Sequence, residues 1–385
     1  MPDSARLLER IKGILERKWL TNNGPLVQEF EQALSEMLGV RHCIATCNAT
    51  VGLEIAIRAL GLSGEVIVPS FTFVATAHAL QWQQITPVFC DVDPKNHNLD
   101  PRKVEDLITD RTTGILGVHL WGRPCNVADL DQIARRHNLT LFFDAAHALG
   151  CTLGGQNIGS LGYVEIFSFH ATKFINSFEG GAIATDSDEL ATRIRLLINF
   201  GFVDFDEVES IGTNGKMSEA SAAMGLTGLE NRQFIVNANR ANYHCYKHNL
   251  ENMAGIRLLE FDESEENNYQ YIVLEIDSEL TGLSRDEIQQ LLRAEGVIAR
   301  RYFFPGCHNL EPYRSLRSYP SDSFSSTAKL CEQVLVLPTG TAVDTAEADL
   351  ICETIGLALK DPPLISKQLS KTQTPTPRNR PVALE

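Results

Sequence analysis

Short apolar runs alternate with helical patterns along the first half of the chain, and this alternation limits the fold more than any other feature. Runs at 41–46, 65–69, 86–91, 112–120 and 140–144 are separated by stretches with helical spacing, at 51–60, up to 83, 99–108 and 129–137. A strand–helix–strand repeat of this kind predicts a parallel sheet flanked by helices, joined by right-handed crossovers. The 4–18 and 26–37 stretches precede it as amphipathic helices. The 188–198 stretch closes the region as another helix.

Two of the runs end on chemistry. Thr140-Leu-Phe-Phe-Asp144-Ala-Ala-His147 is an apolar strand that finishes on an acid. The run Ile166-Phe-Ser-Phe leads into a polar turn with a single lysine, Lys173, and the Gly180-Gly181 pair then starts a second run to Thr185. In an open α/β sheet, ligands sit at the strand ends. A lysine held there loses hydration, so its pKa falls and its amine can attack a carbonyl. The plain alternative is a solvated surface lysine. An Asp and a Lys delivered to one sheet edge match the partners of pyridoxal 5′-phosphate (PLP), with the lysine for the aldehyde and the acid for the ring nitrogen.

Further along, 199–215 is polar and irregular, 217–231 is a Gly/Ala-rich helix and 232–253 a long connecting helix. The remainder (269–276, the helix 284–295, 299–304, 331–337 and 346–359) outlines an α+β unit. Domain boundaries are therefore expected at 1–235 and 236–360. Residues 361–385, rich in Pro, Thr, Lys and Ser, read as a disordered tail.

Composition narrows the function. A net charge of −15 over 385 residues argues against non-specific nucleic-acid binding. The nine cysteines contain no C-x-x-C pair, so no zinc or other metal is expected, and they suit reduced thiols in a cytoplasmic protein. No apolar run reaches the length of a membrane span.

An ordered set of motifs carries a resemblance. They are Trp19-Leu-Thr-Asn-Asn-Gly-Pro25 with Phe30-Glu31, Cys47-Asn-Ala-Thr50, Pro69-Ser-Phe-Thr-Phe73-Val-Ala-Thr76, Phe89-Cys-Asp-Val-Asp93, Val118-His-Leu-Trp-Gly122, Asp144-Ala-Ala-His147, the stretch 168–181, and Gly212-Thr-Asn214-Gly-Lys-Met-Ser-Glu219. Over roughly 18–355 the chain resembles the DegT/DnrJ/EryC1/StrS sugar aminotransferases. That resemblance implies a fold-type-I PLP-dependent α/β protein, with a mostly parallel seven-stranded sheet and a smaller α+β C-terminal domain. It implies Lys173 as the Schiff-base lysine and proton carrier, Asp144 on the pyridinium nitrogen, and Ser168 with the Ala49 and Thr50 N–H groups on the phosphate. Phe73 and Ala146 would lie against opposite ring faces.

His147 stands where most members have Gln, and could donate the same hydrogen bond to the phenolic oxygen or be a core histidine. His170 is expected near the substrate, as a catalytic candidate with Lys173 and Asp144. Asn214 would reach the phosphate from a partner subunit, so a homodimer is implied. Asn48 or Thr50 could equally be a helix cap, Phe73 a core ring, and the arginines of 299–313 ordinary solvated charges.

Within 299–313, Arg301, Tyr302 and His308 are substrate candidates, as is Lys216. This segment resembles that of dTDP-4-amino-4,6-dideoxyglucose synthases. The implied reaction moves an amine from L-glutamate to a nucleotide-linked keto sugar. A non-nucleotide ketone or a PLP-binding regulator are the alternatives.

Overall fold

The computed structural model describes residues 3–316, 319–320 and 322–372. The chain divides into two units. Among the described residues, one holds those of 3–236, 261–270 and 305–328; the other holds those of 237–260, 271–304 and 329–372.

The first unit is built on a seven-stranded sheet. Its strands are β1 (His42–Thr46), β2 (Glu65–Pro69), β3 (Thr86–Cys90), β4 (Thr112–Val118), β5 (Thr140–Asp144), β8 (Glu165–Ser168) and β9 (Gly181–Thr185). The short hairpin β6 (Thr152–Leu153) and β7 (Gln156–Asn157) interrupts the series. Spatial order is β1-β9-β8-β5-β4-β2-β3, and β9 alone runs against its neighbours. The parallel strands are buried on both faces, as helix-covered sheets require. Phe142, Ile166 and Ile183 pack with the helix Ala49–Ala59 on one side; Phe143, Ile115 and Val88 pack with the helix Val127–His137 on the other.

The register decides what meets at the sheet edge. Thr46 pairs with Gly181 and Gly181 with Ser168, while Asp144 pairs with Ile166 and with Val118. The ends of β1, β8 and β5 and the start of β9 therefore lie side by side.

The second unit carries β12 (Ile256–Leu258), β13 (Ile272–Ile276) and β14 (Val334–Leu337), all antiparallel, with the helices Arg285–Ala294 and Thr345–Ala358. A capping box starts each helix, Ser284 with Glu287 and Asp344 with Glu347.

Several expectations need correction. A single cut after 235 misses that 261–270 and 305–328 cluster with the first unit. Buried Cys307, Tyr313 and Phe324 belong to that unit's core, which anchors the second of these segments. Residues 99–108 form only a short helix, Pro101–Val104, and a 3-10 turn. In 299–304 the ladder is reduced to one bridge, Arg300 to Val336. Within 199–215 there is a hairpin, β10 (Phe202–Asp204) and β11 (Glu207–Val208). The start of the expected tail is a helix, Pro362–Thr372, where Ser366 bonds Glu287; 373–385 lie outside the described residues. No helix among the described residues is long and apolar enough to cross a membrane.

Candidate active site

The site begins with Asp144. Ending β5, it is buried beneath the sheet edge, where an unpaired carboxylate is costly. Three donors and charges offset that cost. Thr76 donates its hydroxyl to Oδ2 at 2.8 Å, Ala146 donates its backbone N–H to Oδ1 at 3.0 Å, and the Lys173 ammonium adds its field. Burial still pushes the carboxyl above its ordinary value. An acid in this condition favours a further cationic partner.

Lys173 is half-buried in the loop between β8 and β9. The ladder continues past the strand ends, with Phe169 N–H donating to Gly180 at 2.8 Å, and closes the base of the loop. Ser177 and Lys173 add N–H bonds to Phe169 and His170, both at 2.8 Å. Gln270 donates to the Thr172 carbonyl at 3.2 Å. Desolvation lowers the Lys173 amine to about 8, opposed by the Asp144 charge. It can therefore exchange a proton close to neutral pH.

His147 is buried behind the same edge. The Trp121 backbone N–H donates to its Nδ1 at 3.2 Å, and the two rings stack with centroids 5.6 Å apart. The tautomer with its proton on Nε2 follows. Burial, and then the charge of Lys173, hold the imidazole well below its ordinary value. It is thus a neutral donor. Asn268 fixes the turn that carries it, bonding the carbonyls of His147 at 2.9 Å and Leu149 at 3.1 Å.

A helix start adjoins these groups. The helix Ala49–Ala59 starts where Thr46 meets Gly181, and Asn48 caps it by accepting the Val51 N–H at 2.8 Å. The capping alternative is thus real for Asn48. It leaves the Ala49 and Thr50 N–H groups in the first turn, the part of a helix that attracts anions. Gly181 must be glycine, because a Cβ there would come within 2.6 Å of the Ala49 nitrogen. Half-buried Ser168 ends β8 one strand away.

Phe73 ends the turn after β2 and is 55% exposed, which is unusual for a phenylalanine beside a core and suits stacking on a ligand ring. A desolvated acid, a low-pKa lysine, an exposed aromatic and a helix start with a glycine-cleared approach fit PLP. Asp144 and His147 would hold its ring, Lys173 its aldehyde, and Ala49, Thr50 and Ser168 its phosphate.

Other candidates are placed differently. His170, half-buried, bonds Thr172 at 2.9 Å and lies 3.6 Å from Glu179. Asn214 is exposed on this chain and bridges Asn199 through its backbone. Lys216 bonds Asn199 at 2.8 Å and sits 4.6 Å over the Phe200 ring. His308 contacts Ser70. Arg301 and Tyr302 belong to the second unit, where Arg301 bonds Asp286 at 3.1 Å and Tyr302 stacks on Phe303. Thr76 and Trp121 lie in motifs quoted above but carry no role from sequence, and Asn268 is in none of them. The one available signal was Thr76 among the small residues Ala75, Ala77 and Ala79 at the start of the helix Ala75–Trp82.

Comparison with known proteins identifies the family. The sequence profile of the DegT/DnrJ/EryC1/StrS aminotransferase family matches residues 3–356. A dTDP-4-amino-4,6-dideoxy-D-glucose transaminase of Escherichia coli is 37% identical over 340 residues, covering 88% of this chain and 91% of that protein. GDP-perosamine synthase of Caulobacter vibrioides is 34% identical, with 88% and 91% covered. Among solved structures, DesI in the presence of its TDP-sugar product superposes with a TM-score of 0.91 at 48% identity, covering 96% of this chain and 93% of that one. The chain belongs to the DegT/DnrJ/EryC1/StrS aminotransferase family.

Proposed function

We propose that this PLP-dependent sugar aminotransferase takes its amine from L-glutamate and gives it to dTDP-4-keto-6-deoxy-D-glucose, yielding dTDP-4-amino-4,6-dideoxy-D-glucose. The observation that carries the reaction class is the convergence of Asp144 and Lys173 at one sheet edge, with Lys173 lowered to about 8. The substrate rests on likeness to the Escherichia coli transaminase and to the DesI structure.

When bound, PLP supplies an aldehyde that captures amines and a ring that draws electrons from the adjacent C–H bond. Asp144 holds a proton on the ring nitrogen through a charge-assisted bond. Lys173 Nζ would take the proton from the donor's α-carbon and, in the half that aminates the sugar, deliver one to the sugar's C4. His147 donates from Nε2 to the phenolic oxygen, and Phe73 and Ala146 confine the ring from its two faces. Ala49, Thr50 and Ser168 hold the phosphate. Arg301, Tyr302 and Lys216 are retained as candidates for the sugar nucleotide, and His170 as a catalytic candidate.

We also infer a homodimer. Asn214 is exposed on its own chain, and apolar side chains cluster around the β10–β11 hairpin, with Phe205 95% and Ile211 79% exposed. A second copy would cover them and carry Asn214 to a neighbouring phosphate. A cytoplasmic location fits the free cysteines and the substrates.

The test is a visible spectrum of the protein loaded with PLP. Glutamate should bleach the band, and the keto sugar should restore it. Bleaching without recovery would discard this sugar, and no response to glutamate would discard the reaction.

A further inference from the structure

His308 was a substrate candidate, yet its contacts point inward. Its Nδ1 meets the hydroxyl of Ser70, and its ring stacks on Phe324 with centroids 4.0 Å apart. Neighbouring Cys307 donates its N–H to the Ser70 carbonyl at 2.8 Å and its thiol to the Thr72 carbonyl at 3.2 Å. The turn 70–73 is thus gripped by this segment at two successive polar positions. On its other side Phe71 is fully buried and packs edge-on against His97 and Trp121.

What the turn carries is functional. It ends on exposed Phe73. Thr72 lies 3.2 Å from the Thr76 hydroxyl, which in turn donates to Asp144 at 2.8 Å. Since Thr76 spends its one proton on the carboxylate, Thr72 must be the donor to Thr76. A directed chain therefore runs from the gripped turn to the acid. Ser70, Thr72 and Thr76 are all buried, so water does not replace a lost link cheaply.

We propose that His308 is a positioning residue of the transamination site: through Ser70 it sets the turn that aims Phe73 and the Thr72–Thr76–Asp144 chain, and it does not read the substrate. This rests on the aminotransferase reading above. Burial holds the imidazole below its ordinary value, so a neutral amide is a fair replacement.

The test compares His308→Ala, Ser70→Ala, their double variant and His308→Asn as PLP-loaded protein. Glutamate alone is added and the loss of the visible band is timed; the KM for the keto sugar is then measured. Each single alanine variant should slow the glutamate step roughly 10-fold, and the double variant should be no more than about 2-fold slower than the worse single. His308→Asn should regain most of the rate, and the keto-sugar KM should stay within about 2-fold throughout.

An unchanged glutamate step in His308→Ala would overturn the proposal. So would a roughly 10-fold rise in keto-sugar KM with that step intact, since His308 would then be a binding residue. If His308→Ala does not fold, Ser70→Ala, which removes one oxygen atom, carries the same comparison. The wild-type response to glutamate reports separately on the aminotransferase reading.

Discussion

Thr76 donates its hydroxyl to Asp144 at 2.8 Å from a helix whose other buried residues are Ala77, Ala79 and Leu80. Hydrogen bonds to charged groups contribute about 1.5–3 kcal/mol. Thr76→Val keeps the shape and removes the donor. Its kcat/KM should fall roughly 10- to 100-fold, whereas Thr76→Ser should stay near wild type. Steady-state kinetics on the two variants decide the matter, and equal rates would remove Thr76 from the site.

Lys173→Met should abolish turnover and also stabilise the cofactor-free protein at neutral pH. The folded-state amine sits at about 8, below its ordinary 10.5. Between those values the unfolded chain holds the proton and the folded chain does not, so this group's contribution to stability rises with pH across the window. Its cost is greatest below about 8. The variant's advantage in thermal midpoint should accordingly be largest near pH 7 and shrink as pH rises towards 10. Melting curves of both cofactor-free proteins would show a constant gap if desolvation of Lys173 were not the cause.

His147 is a neutral donor whose tautomer is set by Trp121 at 3.2 Å. Because burial keeps it well below its ordinary value, it should contribute no limb to the pH–rate profile between pH 6 and 9. His147→Gln should retain activity within a few-fold and share the wild-type profile, while His147→Leu should lose roughly 10-fold or more in kcat. A limb that disappears in His147→Gln would contradict the neutral assignment.

Phe205→Asp places a charge on the most exposed phenylalanine of the β10–β11 region. Sedimentation should shift from dimer to monomer, and activity should fall with it. Mixing Lys173→Met with Asn214→Ala chains should restore a fraction of sites, since one mixed site then has both groups intact. A fully active monomer would exclude a site completed by Asn214 of a second copy.

Much of the fold is legible in the sequence. The sheet announced itself because strands buried on both faces are nearly uniform in apolar residues, as at Leu141, Phe142 and Phe143. Asp144 and Lys173 stood out because a charge at the end of such a run has no structural excuse. The second unit was harder to read. Its strands are short, and 299–304 has strand composition but pairs through a single bridge at Arg300. The helix Pro362–Thr372 was hidden by composition: 361–385 is rich in Pro, Thr, Lys and Ser, although the first turn of a helix tolerates the two prolines at its start.

By itself the sequence determined the strand–helix alternation, the order of motifs, and which residue types end the strands. These are local properties, written in periodicity and spacing. The tertiary structure alone decided that Thr76 supplies the Asp144 hydrogen bond, that Trp121 sets the His147 tautomer, and that His308 holds Ser70. Each of these joins residues from 26 to 238 positions apart. A hydroxyl or imidazole carries no mark of its partner in its own neighbourhood. The partner is selected by sheet register and by the cost of leaving a buried polar group unpaired, and both exist only once the chain has folded.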